Sequence, residues 1–113
     1  MGATGHVSET VLKQGGASHF KGMEAVGGRL FLTNQRLVFK SHRFNIQVHQ
    51  ESYPLGDITA VEPRRGISIV GDGLAVVLSD GREERFVVFG RRDWITRILS
   101  ARELAAPVAT TPA

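Results

Sequence analysis

Four histidines, His6, His19, His42 and His49, are the neutral nitrogen ligands of this chain, and they are the first test for a metal centre. A hydrolytic zinc site of the helical type places two histidines four residues apart with a glutamate between them, and no pair here has that spacing. His42 and His49 flank one segment without an evident third ligand, so they read as loop and surface hydrogen-bonding groups, and no metal or cofactor is expected. The serines Ser8, Ser18, Ser41, Ser52, Ser68, Ser79 and Ser100 all lack the Gly-x-Ser-x-Gly context that presents a nucleophile on a strained turn. With no cysteine in the chain, thiol nucleophiles, thiolate metal sites and disulfides are excluded together. No catalytic residue can be assigned, and the chain is not expected to be an enzyme.

Thirteen glycines invite a phosphate-loop reading, but their context opposes it. GGRLF and GDGLA lead into strands, whereas a loop that cradles phosphate must lead into a helix whose amides face the anion. They read as turn residues. Charge is the remaining chemistry. Fourteen Lys and Arg against eleven Asp and Glu give a net charge of +3. The isoelectric point of about 10.0 reflects the dominance of arginine among the bases more than a strong field at pH 7. So small an excess, with the aromatic residues falling on core-facing positions, argues against nucleic acid as a partner. Of the basic pairs, Arg64-Arg65 sits on a turn, and Arg91-Arg92 opens a helix against its dipole with Asp93 offsetting it.

These side chains must be positioned by a fold that 113 residues can build, which is one domain with one core. No apolar run approaches the ~20 residues needed to cross a bilayer, and the N-terminus lacks the regions of a signal peptide. A cytoplasmic location is therefore expected. From Glu9 onward, short alternating runs broken by Gly, Asn, Asp and Pro predict a meander of seven strands. These are Thr10–Lys21, Arg29–Thr33, Arg36–Ser41, Ile58–Pro63, Ile67–Val70, Leu74–Ser79 and Glu83–Phe89. Gly15 and Gly16 suggest a bulge or bend in the first strand where two sheets meet. Asn34-Gln35 reads as a two-residue turn using the left-handed tolerance of Asn, and Asp80-Gly81 as the strongest hairpin signal. The segment from His42 to Gly56 reads as an irregular sheet edge, because Pro54 cannot donate to a ladder. Its polar run Lys40–Gln50 is either a brace for that crossover or a recognition loop. After Gly90, Trp94, Ile95, Ile98, Leu99 and Ala101 recur at helical spacing, predicting one helix over Arg91–Ala105. Residues 1–8 and 106–113 carry little that could pack and are expected to be disordered around a domain of residues 9–105.

The stretch GGRLFLTNQRLVFKSH, Gly27 to His42, followed by YPLGDITAV, Tyr53 to Val61, resembles a GRAM domain, a branch of the pleckstrin-homology-like superfold. A glycine-led strand ends in Leu-Thr-Asn, the next opens with Arg-Leu and ends in Phe, and a Pro-Leu-x-x-Ile segment follows. The longer run HFKGMEAVGGRLFLTNQRLVFKSHRFNIQVH is similar to the bacterial stand-alone members. The resemblance covers Glu9 to Leu104. It implies a mainly β fold with one C-terminal helix, a seven-stranded barrel or sandwich of two near-orthogonal antiparallel sheets, strands one to four and five to seven, capped by the helix carrying Trp94.

It also implies a non-catalytic binding module, associating peripherally with an anionic membrane lipid or headgroup at the inner face of the membrane. In such domains the loops after strands one, three and six surround one end of the barrel. If that holds here, Lys21, Lys40, His42, Arg43 and Arg82 converge on one anion. This chain departs from the inositide-binding pattern, because Gly22 to Gly28 contains no basic residue. The same loop offers Met23 and Val26 for insertion into a bilayer. The alternative function is protein–protein interaction or self-association, homo-oligomers included, through a sheet edge or the helix face.

Overall fold

The computed structural model describes residues 8–42, 50–65 and 72–105. Its elements are β1 (Val11–Lys21), β2 (Glu24–Thr33), β3 (Arg36–Ser41), β4 (Gln50–Pro54), a 3-10 turn (Leu55–Asp57), β5 (Ile58–Arg64), β6 (Asp72–Leu78), β7 (Glu83–Val88) and α1 (Arg91–Ala105). The mainly β class with a C-terminal helix stands. The two-sheet division does not: hydrogen bonding runs through one antiparallel sheet in the order β4-β3-β2-β1-β7-β6-β5. The reason is β1, which pairs along its length with β2 and, through Ala17–His19, with Val88–Phe86 of β7. The sheet is not closed into a barrel, because β4 and β5 are both edges. An edge position for the segment ending at Pro54 is what its missing N–H demands.

Several boundaries move. Seven strands are present among the described residues, but one of them is β4; the strand expected at Ile67–Val70 lies outside those residues. The expected loop Gly22–Gly28 is mostly strand, since Ala25 to Gly28 continue the register with Phe20 to Ala17. Gly22 alone needs the left-handed region there, with φ of 65°. Gly15 and Gly16 mark no bulge: they pair regularly with Leu30 and Arg29, and the register shift falls between Val11 and Lys13. Asn34 does not adopt positive φ either, as no non-glycine among the described residues does. The Thr33 hydroxyl organises that turn, accepting from the amides of Gln35 and Arg36 at 3.0 Å each. Asn34 instead binds the chain start, with Oδ1 accepting from Thr10 N at 2.8 Å and Nδ2 donating to Ser8 O at 3.0 Å. Asp80-Gly81 behaves as read, with Gly81 at φ 93°.

Alternation places the core on one face of every strand. Leu30 and Leu32 of β2, Leu37 and Phe39 of β3, Leu74, Val76 and Leu78 of β6, and Phe86 and Val88 of β7 form one buried cluster. From α1, Trp94, Ile98 and Ala101 join it, one helical face at spacings of four and three. Trp94 passes over Gly15, where an added Cβ would lie 3.5 Å from Cζ2 of the indole. The helix start is tied down by Arg91, whose Nη1 donates to the carbonyls of Arg64 and Gly73 at 3.2 and 3.1 Å. One of the two arginines at the helix N-terminus is therefore a strand-end clamp. Asp93 accepts from Lys13 at 2.8 Å, and the Lys13 ammonium lies 4.9 Å from the Trp94 ring centroid.

Candidate functional site

The expected anion site divides into two places. Past His19, β1 and β7 no longer pair, and the inward side chains of β4 cross to fill the gap. Lys21 Nζ meets Glu51 Oε2 at 3.2 Å. The Tyr53 hydroxyl donates to Glu84 Oε1 at 3.4 Å, and His19 Nε2 donates to the same oxygen at 2.8 Å. His19 is fully buried, stacked on Phe86 with ring centroids 4.6 Å apart. Burial, with the Glu84 charge next, pushes the Tyr53 phenol well above its usual range. Arg82 donates through Nε to Asp80 Oδ2 at 2.8 Å, and its Nη1 lies 3.5 Å from Glu84 Oε2. The amide and guanidinium of Arg82 hold the Asp80 carboxyl below its ordinary value. Lys21 and Arg82 thus face Glu51, Asp80 and Glu84, two cations against three carboxylates. Among the described residues, acids outnumber bases in that gap. A cavity of about 70 Å³ beside it is lined by Tyr53, Asp57, Asp80 and Arg82 among others, again with acids in the majority.

Lys40 and His42 lie on the other face of the sheet. Because side chains alternate along strands, Arg29 and Phe31 of β2 point away from the core that holds Leu30 and Leu32. Lys40 pairs with Arg29 in register, and its ammonium sits 5.8 Å from the Phe31 ring centroid. Arg29 Nη2 donates to Gln14 Oε1 at 3.3 Å. Both cations therefore have neutral partners, and among the described residues neither meets a carboxylate. His42 is exposed and its amide donates to Gly27 O at 3.0 Å. Arg43 lies outside the described residues. The four described ones are not at one point: Lys21 and Arg82 flank the gap, and Lys40 and His42 lie on the outer face.

The insertion pair also separates. Met23, at the β1–β2 turn, is 97% exposed, whereas Val26 packs against the core, because β2 begins at Glu24 and turns that position inward. Two outer-face features were not anticipated. One is Arg29, which follows the base-free stretch Gly22–Gly28, and the other is Phe89, 69% exposed, at the end of the expected strand Glu83–Phe89. The period-2 run of small residues, Gly16 and Ser18 on β1 with Ala25 and Gly27 on β2, was the available signal.

A family model described as GRAM domain matches residues 8–102, so the match spans both the clamped gap and the basic outer face. The chain belongs to the GRAM domain family. No curated protein sequence matches it. Among solved structures, this GRAM domain is similar to the C-terminal domain of an unknown protein from Leishmania infantum, at 20% identity, covering 85% of each chain, with a TM-score of 0.68. It is also similar to the N-terminal PH domain of Vps36, at 17% identity, covering 85% of this chain and 80% of that one, TM-score 0.66. The N-terminal PH domain of human ARAP2 gives 17% identity over 89% and 87%, TM-score 0.66. At such identities these likenesses establish the PH-like fold and nothing finer. GRAM and PH-like domains are typically non-catalytic modules that bind lipid or protein. No helix among the described residues is long and apolar enough to cross a membrane.

Proposed function

We propose that this GRAM domain is a non-catalytic module that associates peripherally with an anionic membrane surface through lipid headgroups. The observation that carries the reading is the pair Arg29 and Lys40, two exposed cations on one face with neutral partners, beside exposed His42. Arg43 follows them in sequence and belongs to the same proposal. Lys21 and Arg82 contribute less, since each is already held by a carboxylate.

Co-sedimentation with phosphatidylglycerol and phosphatidylcholine vesicles tests it. Binding is expected on the anionic vesicles only, and it should weaken from 0.1 M to 1 M salt as the screening length falls from about 10 Å to about 3 Å. Arg29→Glu/Lys40→Glu should lower affinity by at least about thirty-fold, from roughly 1 kcal/mol per cation near a charged surface. Lys21→Ala/Arg82→Ala should change it less than about three-fold. No binding to anionic vesicles at low salt would sink the reading.

A second reading, self-association through the helix, is favoured by one feature: Leu104 of α1 is 80% exposed and Leu99 36%. Light scattering decides it. A dimer dispersed by Leu104→Glu supports it, and a strict monomer at high concentration removes it.

A further inference from the structure

The strand registers place Val87, Ser18, Gly27 and His42 side by side on the outer face, with Gly16, Arg29 and Lys40 in the adjoining row and Phe89 just past the end of β7. Between β7, β1 and β2 this leaves a groove of about 380 Å³, walled by Phe20, Val87 and Phe89, with Gly16, Ser18 and Gly27 as its floor and His42 at the rim. That volume lies within the range of roughly 300–1,000 Å³ typical of small-molecule sites.

The glycines of this region fall into two kinds. At Gly28 a Cβ would collide with the Lys40 carbonyl oxygen and lie 2.7 Å from Ser41 Cα, so the packing of β2 on β3 forbids a side chain. At Gly16 and Gly27 an added Cβ would meet nothing within 4 Å, and neither residue has positive φ. Glycine inside a paired strand weakens it, and the open space above both positions admits the close approach of another molecule. Phe89 stays 69% exposed along the same groove. Charge complementarity selects the occupant: Arg29 stands across from Gly16 of the groove floor and Lys40 next to Arg29, in the row beside the trough, and neither faces a carboxylate among the described residues. A molecule that fits has an apolar chain for the groove and an anionic head for the bases.

We propose that the outer-face groove between β7, β1 and β2 takes one acyl chain of an anionic membrane lipid, whose head lies at Arg29 and Lys40. This rests on the membrane reading above and adds a chain-binding site to it. The reading above needs no such site, because cations alone suffice for surface attachment.

The test uses dihexanoyl phosphatidylglycerol below its micelle concentration, with glycerol 3-phosphate as a head lacking chains, followed by amide NMR shifts on the full chain. Saturable shifts at Gly16, Ser18, Gly27 and Phe89 are expected with the lipid and not with glycerol phosphate. Gly27→Leu fills the trough where there is open space and should weaken binding at least ten-fold with the melting temperature retained. If that variant fails to fold, Phe89→Ser removes a wall from the solvent side and should weaken binding several-fold. Shifts confined to the Lys21 and Arg82 gap, or affinity unchanged by a folded Gly27→Leu, overturn the groove. So does vesicle binding without saturable short-chain lipid binding, which leaves the membrane reading standing. Short-chain lipid binding without vesicle binding keeps the groove and sinks the surface reading.

Discussion

The two faces of the β7-β1-β2 region are built from adjacent residues of the same strands and obey different rules. On the inner face His19, Tyr53 and Glu84 satisfy one another, and no buried side-chain polar atom among the described residues lacks a partner. On the outer face, one residue along, two cations lean on neutral groups, two glycines occupy positions that tolerate a side chain, and a phenylalanine stands in water. A polar atom left alone in the interior costs about 1–3 kcal/mol, whereas water supplies partners outside. Folding therefore dictates the first set and leaves the second free to be shaped by something else.

Removing the interior carboxylate should break that contrast most visibly. Glu84→Leu takes away the oxygen that meets His19 Nε2 and the Tyr53 hydroxyl, and stability measured by urea unfolding should fall by about 3 kcal/mol. His19→Leu/Glu84→Leu should recover part of that loss, because the Tyr53 hydroxyl is then the one group of the trio left without its acceptor. A double variant as unstable as the single one would mean that the network, rather than the unpaired ring, was being lost.

The next effect compares two neighbouring glycines. Gly28→Ala forces a methyl into the Lys40 carbonyl and should destabilise by about 1–3 kcal/mol, while Gly27→Ala should lie within about 0.5 kcal/mol of the parent or above it. Equal losses at both positions would remove the distinction on which the groove rests.

The smallest effect is a pH limb on the β5–β7 side of the sheet. Arg64 and then Arg85 hold the Glu83 carboxyl down to about 2 from its ordinary 4.5. A depressed folded value means that the contribution is complete above about 4.5 and disappears as pH falls towards 2. Glu83→Gln should therefore lower stability at pH 7 slightly and flatten the decline between pH 4.5 and 2. An unaltered acid limb in that variant would show that other carboxylates dominate. The partial exposure of both partners keeps the effect small.

Six of the seven expected strands, the helix and the core were legible because period-2 alternation and the Trp94, Ile98, Ala101 stripe are local signals. The continuous sheet was not, since joining its halves depends on Ala17 to His19 finding Phe86 to Val88, a pairing that no local pattern encodes. Turn chemistry was half readable. Gly81 does what its type suggests, whereas the turn after Thr33 is run by a hydroxyl, and Asn34 bonds a segment far away in sequence. Among site residues the basic types were found but their acids were not: Glu51 of β4, Asp80 of the β6–β7 turn and Glu84 of β7 neutralise Lys21 and Arg82. Starting β2 five residues late hid the inward turn of Val26 and the small-residue rows beside Phe89.

The double pairing of β1 also orders events in time. Within this domain β1 is made before the other described strands and can form a hairpin with β2 at once, yet its other edge waits for β7, the last of them. Until then that edge is an open template of amides and carbonyls, the arrangement most prone to pairing with a stranger. Closing it joins distant parts of the chain, so that step should set the pace of folding, and a chain truncated before Val88 should be sticky rather than merely unstable.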